Sequence, residues 1–209
     1  GLRAIVRQDP DIILVGEIRD LETAEISVNA ALTGHMLLST FHANDAATAV
    51  PRLLDMGIEP FLLASSLQAV AAQRLVRRIC DHCAEPTILT KKQEQVIVDY
   101  FALIPEEEVV AYGLKPAQKI VAFQGKGCEK CGMTGYKGRI ALYETVAVDG
   151  IMKAIIADKE GNENAVKQAA IEQKMLTMKQ DGILKVLKGI TTLAEVERVT
   201  EGKILIDEE

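Results

Sequence analysis

Across 209 residues, 30 acidic side chains outnumber 24 Lys and Arg for a formal net charge of −6, which argues against a nucleic-acid binder held by phosphate contacts. The 4% aromatic content and the lack of Trp argue against a base-stacking platform as well, while 48% hydrophobic residues suffice for a buried core at this length. No apolar run approaches the roughly 20 residues that span a bilayer, and the chain opens on Gly1 in place of Met, so its natural start is expected upstream and no targeting signal is read.

In chain order, Asp11-Ile12-Ile13-Leu14-Val15 is an apolar run opened by Asp9-Pro10 and closed by Gly16, the pattern of a parallel strand buried on both faces. Asp20 is a good N-cap, apolar residues recur at helical spacing from Leu21 to Leu32, and Gly34 stops the helix. Residues 35–42 read as a second buried strand, which completes a βαβ unit. Asn44 or Asp45 caps the next helix, which ends at Gly57 and is expected to become regular only at Pro51, placed in its first turn. Phe61 to Arg78 reads as a long helix whose basic end (Arg74, Arg77, Arg78) suits a helix carboxyl terminus.

All four cysteines fall in two CxxC pairs, Cys80/Cys83 and Cys128/Cys131. The insert between them, residues 84–127, carries a predicted helix (Lys91 to Leu103), an acidic turn at Glu106 to Glu108 and a short strand near Ile120 to Phe123. Glycines around the second pair predict turns. From Asp149 to about Thr200 the chain reads as short helices broken at Gly161, Gly182 and Gly189, and the tail from Lys203 to Glu209 is expected to fray.

Three features bear on chemistry. A hydrophobic strand that ends in an acidic residue is the Walker B arrangement, with a carboxylate at the carboxyl edge of a parallel sheet where phosphates, Mg²⁺ and the attacking water gather. Here Glu17 ends the strand, and Gly16 stands where an Asp is usual; the plain alternative is an ordinary strand entering a turn. His35 and His42 flank the second strand. His42 is at the ligand-facing carboxyl end, and the competing reading of each is a satisfied structural histidine. Two CxxC knuckles supply the four thiolates of a closed zinc site, although the insert exceeds the common ribbon spacing and a redox pair is the main competitor. His82, inside the first knuckle, reads as a solvated or supporting residue.

The stretch from Arg7 to Asp20 resembles the Walker B region of the ATPases that power type II secretion and type IV pilus assembly. Ala31-Leu32-Thr33-Gly34-His35 with Ser39-Thr40-Phe41-His42-Ala43-Asn44-Asp45 is similar to their histidine box. Gln73 to Cys80 and Thr134 to Arg139 resemble the segments that frame their tetracysteine module. The resemblance implies an α/β fold: the carboxyl-terminal part of a RecA-like P-loop NTPase core, a parallel sheet flanked by helices, with an inserted Cys₄ zinc module and a helical carboxyl-terminal region. Residues 1–78 would supply the core, 79–139 the zinc module and 140–209 the helical subdomain.

It also implies a homo-hexamer, cytoplasmic and peripheral at the inner membrane, that uses ATP and Mg²⁺ and works on a membrane platform protein. Glu17 would be the Walker B glutamate, His42 a phosphate-sensing histidine, Arg19 and Asp20 neighbours of the nucleotide, and Cys80, Cys83, Cys128 and Cys131 the ligands of one Zn²⁺. The family's retraction motors lack the tetracysteine, so assembly or secretion is favoured. No GxxxxGK[ST] run occurs, and neither Gly125-Lys126-Gly127 nor Gly202-Lys203-Ile204 has its spacing. The P-loop is therefore expected upstream and the chain alone to be inactive. The rival function is a zinc-stabilised module that docks on a platform protein without nucleotide chemistry.

Overall fold

A short helix α1 (Leu2–Val6) precedes the βαβ unit that the apolar runs predict. Strand β1 (Ile12–Val15) leads through helix α2 (Leu21–Leu32) to strand β2 (Met36–Ser39), parallel to β1 with Ile12 opposite Met36 and Val15 opposite Ser39. Asp20 caps α2 by accepting from the Thr23 N–H at 2.8 Å. The computed structural model describes residues 2–115, 120–158 and 163–200, so the expected break at Gly161 and the tail from Lys203 to Glu209 lie outside the described residues. The described residues divide into two compact units, one drawn from residues 2–72 and 145–175 and the other from residues 73–144 and 176–200.

In the first unit, helices α3 (Ala46–Asp55) and α4 (Pro60–Ser66) are joined from late in the chain by α7 (Gly150–Ala157) and α8 (Glu163–Glu172). Helix α4 packs on α7 and α3 on α8, around Ala24, Val28, Val50, Leu63, Met152 and Ile156. Two expectations are corrected here. Regular helix begins at Ala46, five residues before Pro51: Asp45 and Thr48 form a capping box, and burial of Ala46, Ala47, Ala49 and Val50 outweighs the interior proline. The strands are not buried on both faces. Ile13 is buried, but Leu14 is 77% exposed and Met36 60%, because the packed helices cover one face of a sheet that has two strands among the described residues.

The expected helix from Phe61 to Arg78 is also corrected. Helix α4 ends at Ser66, and strand β3 (Ala69–Ile79) follows. Exposure alternates from Ala69 to Val76, the period of a strand. Ala, Gln, Arg and Leu favour helix only by tenths of a kcal/mol each, and pairing with the distant strand β6 (Tyr136–Ala147) overrides them.

Within the second unit, the ends of the insert meet in an antiparallel pair, β4 (Ala84–Thr87) with β5 (Ala122–Gly125), Ala84 opposite Gly125. Between them lie α5 (Lys91–Ala102) and α6 (Glu106–Ala111), a helix where only an acidic turn was expected. Helices α9 (Met178–Leu187) and α10 (Leu193–Val199) complete the unit. Gly182 does not break α9. A Cβ there would lie 2.5 Å from Val196 Cγ1, so the glycine lets α10 approach α9 closely. Asp181, 1% exposed, is ion-paired to Lys185 at 2.5 Å and accepts from the Tyr143 N–H at 2.8 Å and from the Tyr112 hydroxyl. Burial and that carboxylate hold the Tyr112 phenol well above its ordinary range.

Candidate functional site

The parallel pair brings together residues 25 apart in sequence. Beyond the last paired residues, Val15 and Ser39, the Thr40 hydroxyl donates to the Gly16 carbonyl at 2.7 Å and the Ile18 N–H donates to the Thr40 carbonyl at 3.0 Å. Glu17 therefore leaves β1 beside the segment that carries His42. His42 Nε2 lies 3.1 Å from Glu17 Oε2, and Arg19 Nε is ion-paired to Glu17 Oε1. The carboxylate is the sheltered member: its side chain is 26% exposed, against 74% for Arg19 and 81% for His42. Each of its oxygens thus has a basic partner, at the carboxyl end of a parallel sheet.

Of the predicted neighbours, Asp20 does not join this cluster. Its carboxylate caps α2, and the Thr23 N–H it accepts holds its pKa below the usual value. Sequence reasoning missed Arg52, whose Nη1 donates to the His42 carbonyl at 2.5 Å while its guanidinium lies 5.7 Å from the Phe41 ring centroid. The available signal was an arginine two turns into the helix that follows the His42 loop. His35 is structural in these surroundings: its Nδ1 lies 3.0 Å from the Ala30 carbonyl and 3.1 Å from the Thr33 hydroxyl, closing the turn from α2 to β2.

In the second unit, Cys80 follows β3 and Cys83 precedes β4, while Cys128 caps and Cys131 ends a 3₁₀ turn, Glu129–Cys131. The four Sγ atoms lie within 4.8 Å of one another, with Cys80 to Cys128 and Cys83 to Cys131 both 3.9 Å and Cys128 to Cys131 3.7 Å. Thiolates about 2.3 Å from a tetrahedral zinc stand about 3.8 Å apart, so the donor set and its spacing fit one such ion. Close backbone approach builds the knuckles: a Cβ on Gly125 would meet the Gly135 carbonyl oxygen at 2.0 Å, and Cys80 N–H donates to that same carbonyl at 3.0 Å.

Electrostatics separates the sulfurs. Burial and the neighbouring thiols push Cys83 up to about 12, although the Gly127 N–H opposes them. At Cys131 burial is outweighed by the N–H groups of Cys128 and Gly135, 3.2 and 3.3 Å from Sγ, which bring its pKa down to about 6. Four thiol groups converging at this spacing are a donor set for a cation, which binds them as thiolates.

The sequence model of the family described as type II/IV secretion system protein matches residues 1–198. The chain is 48% identical to the type II secretion system protein E of Aeromonas hydrophila over 96% of its own length and 36% of that protein's. It is 44% identical to the type II secretion system ATPase E of Vibrio cholerae, over 96% of this chain and 37% of that one. With the type IV pilus assembly ATPase PilB of Thermus thermophilus it shares 48% identity over 94% of its length and 20% of the relative's. It therefore spans between a fifth and somewhat over a third of the curated relatives it matches.

Two solved structures share the fold. The pilus retraction motor PilT superposes with a TM-score of 0.61 at 23% identity, covering 96% of this chain and 43% of that one. The ATPase DotB of Legionella pneumophila gives 0.59 at 22%, over 95% and 41%. With a parallel βαβ unit, a Glu17–His42 pair at its carboxyl end and four converging cysteines, the chain belongs to the type II/IV secretion system protein family.

Proposed function

We propose that this chain is part of a hexameric, RecA-like ATPase motor whose ATP hydrolysis powers type IV pilus assembly or type II protein secretion. The observation that carries the reading is the convergence of Glu17, Arg19 and His42 at the carboxyl ends of β1 and β2, the edge where parallel α/β sheets present ligands. The relatives named as secretion and pilus-assembly ATPases support it. Glu17 orients the attacking water by accepting its hydrogen bond. Arg19 and His42 occupy the two carboxylate oxygens, and on arrival of the γ-phosphate His42 exchanges its Glu17 partner for a phosphate oxygen. That exchange frees an acceptor on Glu17 for the water and reports the phosphate to the loop held by Arg52.

Residues 1–78 supply this part of the nucleotide core, 79–139 the tetracysteine module and 140–209 the mainly helical remainder. Cys80, Cys83, Cys128 and Cys131 would hold Zn²⁺, whose chemistry with four thiolates is structural, because no coordination position is left for water. No GxxxxGK[ST] run occurs in the 209 residues, so this chain has no cradle of its own for the phosphates or Mg²⁺ and is inactive alone. No helix among the described residues is long and apolar enough to cross a membrane; we propose a motor on the cytoplasmic side of the inner membrane that acts on a membrane platform protein.

The test is Glu17→Gln in the full-length ATPase, which changes charge and basicity with little change of volume. Turnover should be abolished while ATP affinity is kept. Hydrolysis at the wild-type rate would show that β1 ends in an ordinary turn.

A further inference from the structure

We infer that Thr40 is the residue that positions Glu17, an inference that rests on the reading of Glu17 as the water-orienting carboxylate. The Thr40 side chain and main chain bracket Glu17: its hydroxyl donates to the carbonyl of Gly16 at 2.7 Å, and its carbonyl accepts from the N–H of Ile18 at 3.0 Å. The residues on both sides of Glu17 are thereby bonded to one partner on the neighbouring chain segment.

The bracket is needed because of Gly16. Gly16 is exposed and has no side chain, and a Cβ there would meet nothing within 4 Å, so no side-chain packing steadies the peptide that leads into Glu17, and glycine's backbone freedom is the largest of any residue. The regular β1–β2 ladder ends one residue earlier, at Val15 and Ser39. Beyond it, the Thr40 hydroxyl takes the place of a ladder bond. The same threonine stands two residues before His42, so it sets the separation between Glu17 and His42 from both sides of the pair.

Thr40 is exposed, and a bond open to water contributes little to global stability. Its contribution is local, to the placement of a carboxylate for which a displacement of about 1 Å is worth up to about a hundredfold in rate.

The experiment compares four variants of the full-length ATPase with the wild type: Thr40→Val, Thr40→Ser, Glu17→Gln and the double variant Glu17→Gln with Thr40→Val. Steady-state hydrolysis, binding of a fluorescent ATP analogue and thermal unfolding are measured on each. Thr40→Val should lower kcat by about ten- to a hundredfold with KM, analogue affinity and Tm unchanged, and Thr40→Ser, which keeps the hydroxyl, should recover most of the rate. In the Glu17→Gln background, where turnover is already abolished, adding Thr40→Val should change neither analogue affinity nor Tm, because a residue that acts only through Glu17 holds neither the nucleotide nor the fold. Wild-type kcat in Thr40→Val alongside a silent Glu17→Gln overturns the inference and leaves the reading of Glu17 intact. Wild-type turnover in Glu17→Gln overturns that reading and the inference with it. A Thr40→Val defect that Ser does not repair, that lowers Tm, or that weakens analogue binding in the Glu17→Gln background marks a packing role and also overturns the inference.

Discussion

Glu195 offers the sharpest test of how the second unit is held together. Its side chain is 2% exposed, and it accepts from the Arg77 N–H at 2.8 Å, Arg77 Nη2 at 2.7 Å, Arg198 Nε at 3.0 Å and Arg198 Nη2 at 2.8 Å. Burial works against its charge, but these donors more than offset it and hold the carboxyl at about 2, against an ordinary 4.5. That difference corresponds to about 3 kcal/mol at neutral pH. The arginine side chains are 50% and 53% exposed, so screening by water brings the effect of Glu195→Gln to about 2 kcal/mol.

Because Arg77 also donates its backbone N–H to Glu195, and lies 4.2 Å from the Tyr136 ring centroid, the loss should loosen β3 and the start of α10 together. Hydrogen exchange read by mass spectrometry should show residues 190–199 of Glu195→Gln exchanging about 30-fold faster than wild type near pH 6. A folded pKa depressed below the unfolded one stabilises above about 4.5 and loses that contribution as pH falls toward about 2. The gap between the two proteins should therefore narrow by about 1 kcal/mol at pH 3.5. Equal exchange at pH 6, or a gap that is the same at both pH values, would refute the assignment of this stability to the Glu195 charge.

The purified chain should carry one zinc per molecule by elemental analysis, and Cys128→Ser or a strong chelator should remove it and loosen residues 79–139; structural zinc sites contribute on the order of 10 kcal/mol, and unchanged metal content in Cys128→Ser would sink the assignment. Gly182→Ala should destabilise the second unit by about 1–3 kcal/mol in denaturant, because its Cβ would stand 2.5 Å from Val196 Cγ1, and Val196→Ala in the same chain should recover part of the loss. The 209-residue chain by itself should show no ATP turnover above background in a phosphate-release assay, since positioning of the phosphates and Mg²⁺ supplies nearly all of phosphoryl-transfer catalysis. Clear steady-state activity would mean that its nucleotide site has been misplaced.

What could be read from the sequence was what short-range chemistry decides. The apolar run at Ile12 to Val15, the Asp20 cap and Gly34 are local signals, and β1, α2 and β2 follow them. Two CxxC pairs announced four sulfurs on one ion, and the sulfurs do converge. An acidic residue at one strand end and a histidine at the next marked Glu17 and His42 as candidates beside a plain structural reading, and the family resemblance gave them their expected roles; their 3.1 Å contact exists only because β1 and β2 pair in parallel. Where long-range partners compete with local preference, the sequence misled. Residues 67–79 have helical composition, yet pairing with β6 makes most of them a strand. Asp45's capping box and a buried alanine-rich face carry a helix through Pro51. Gly182 looked like a break and is instead the space into which Val196 packs. Arg52 on His42 and Arg77 on Glu195, the latter 118 residues apart, were invisible for the same reason. Local propensities differ by tenths of a kcal/mol per residue, whereas burial and strand pairing across the fold add up to several; the weaker term yields wherever the two disagree.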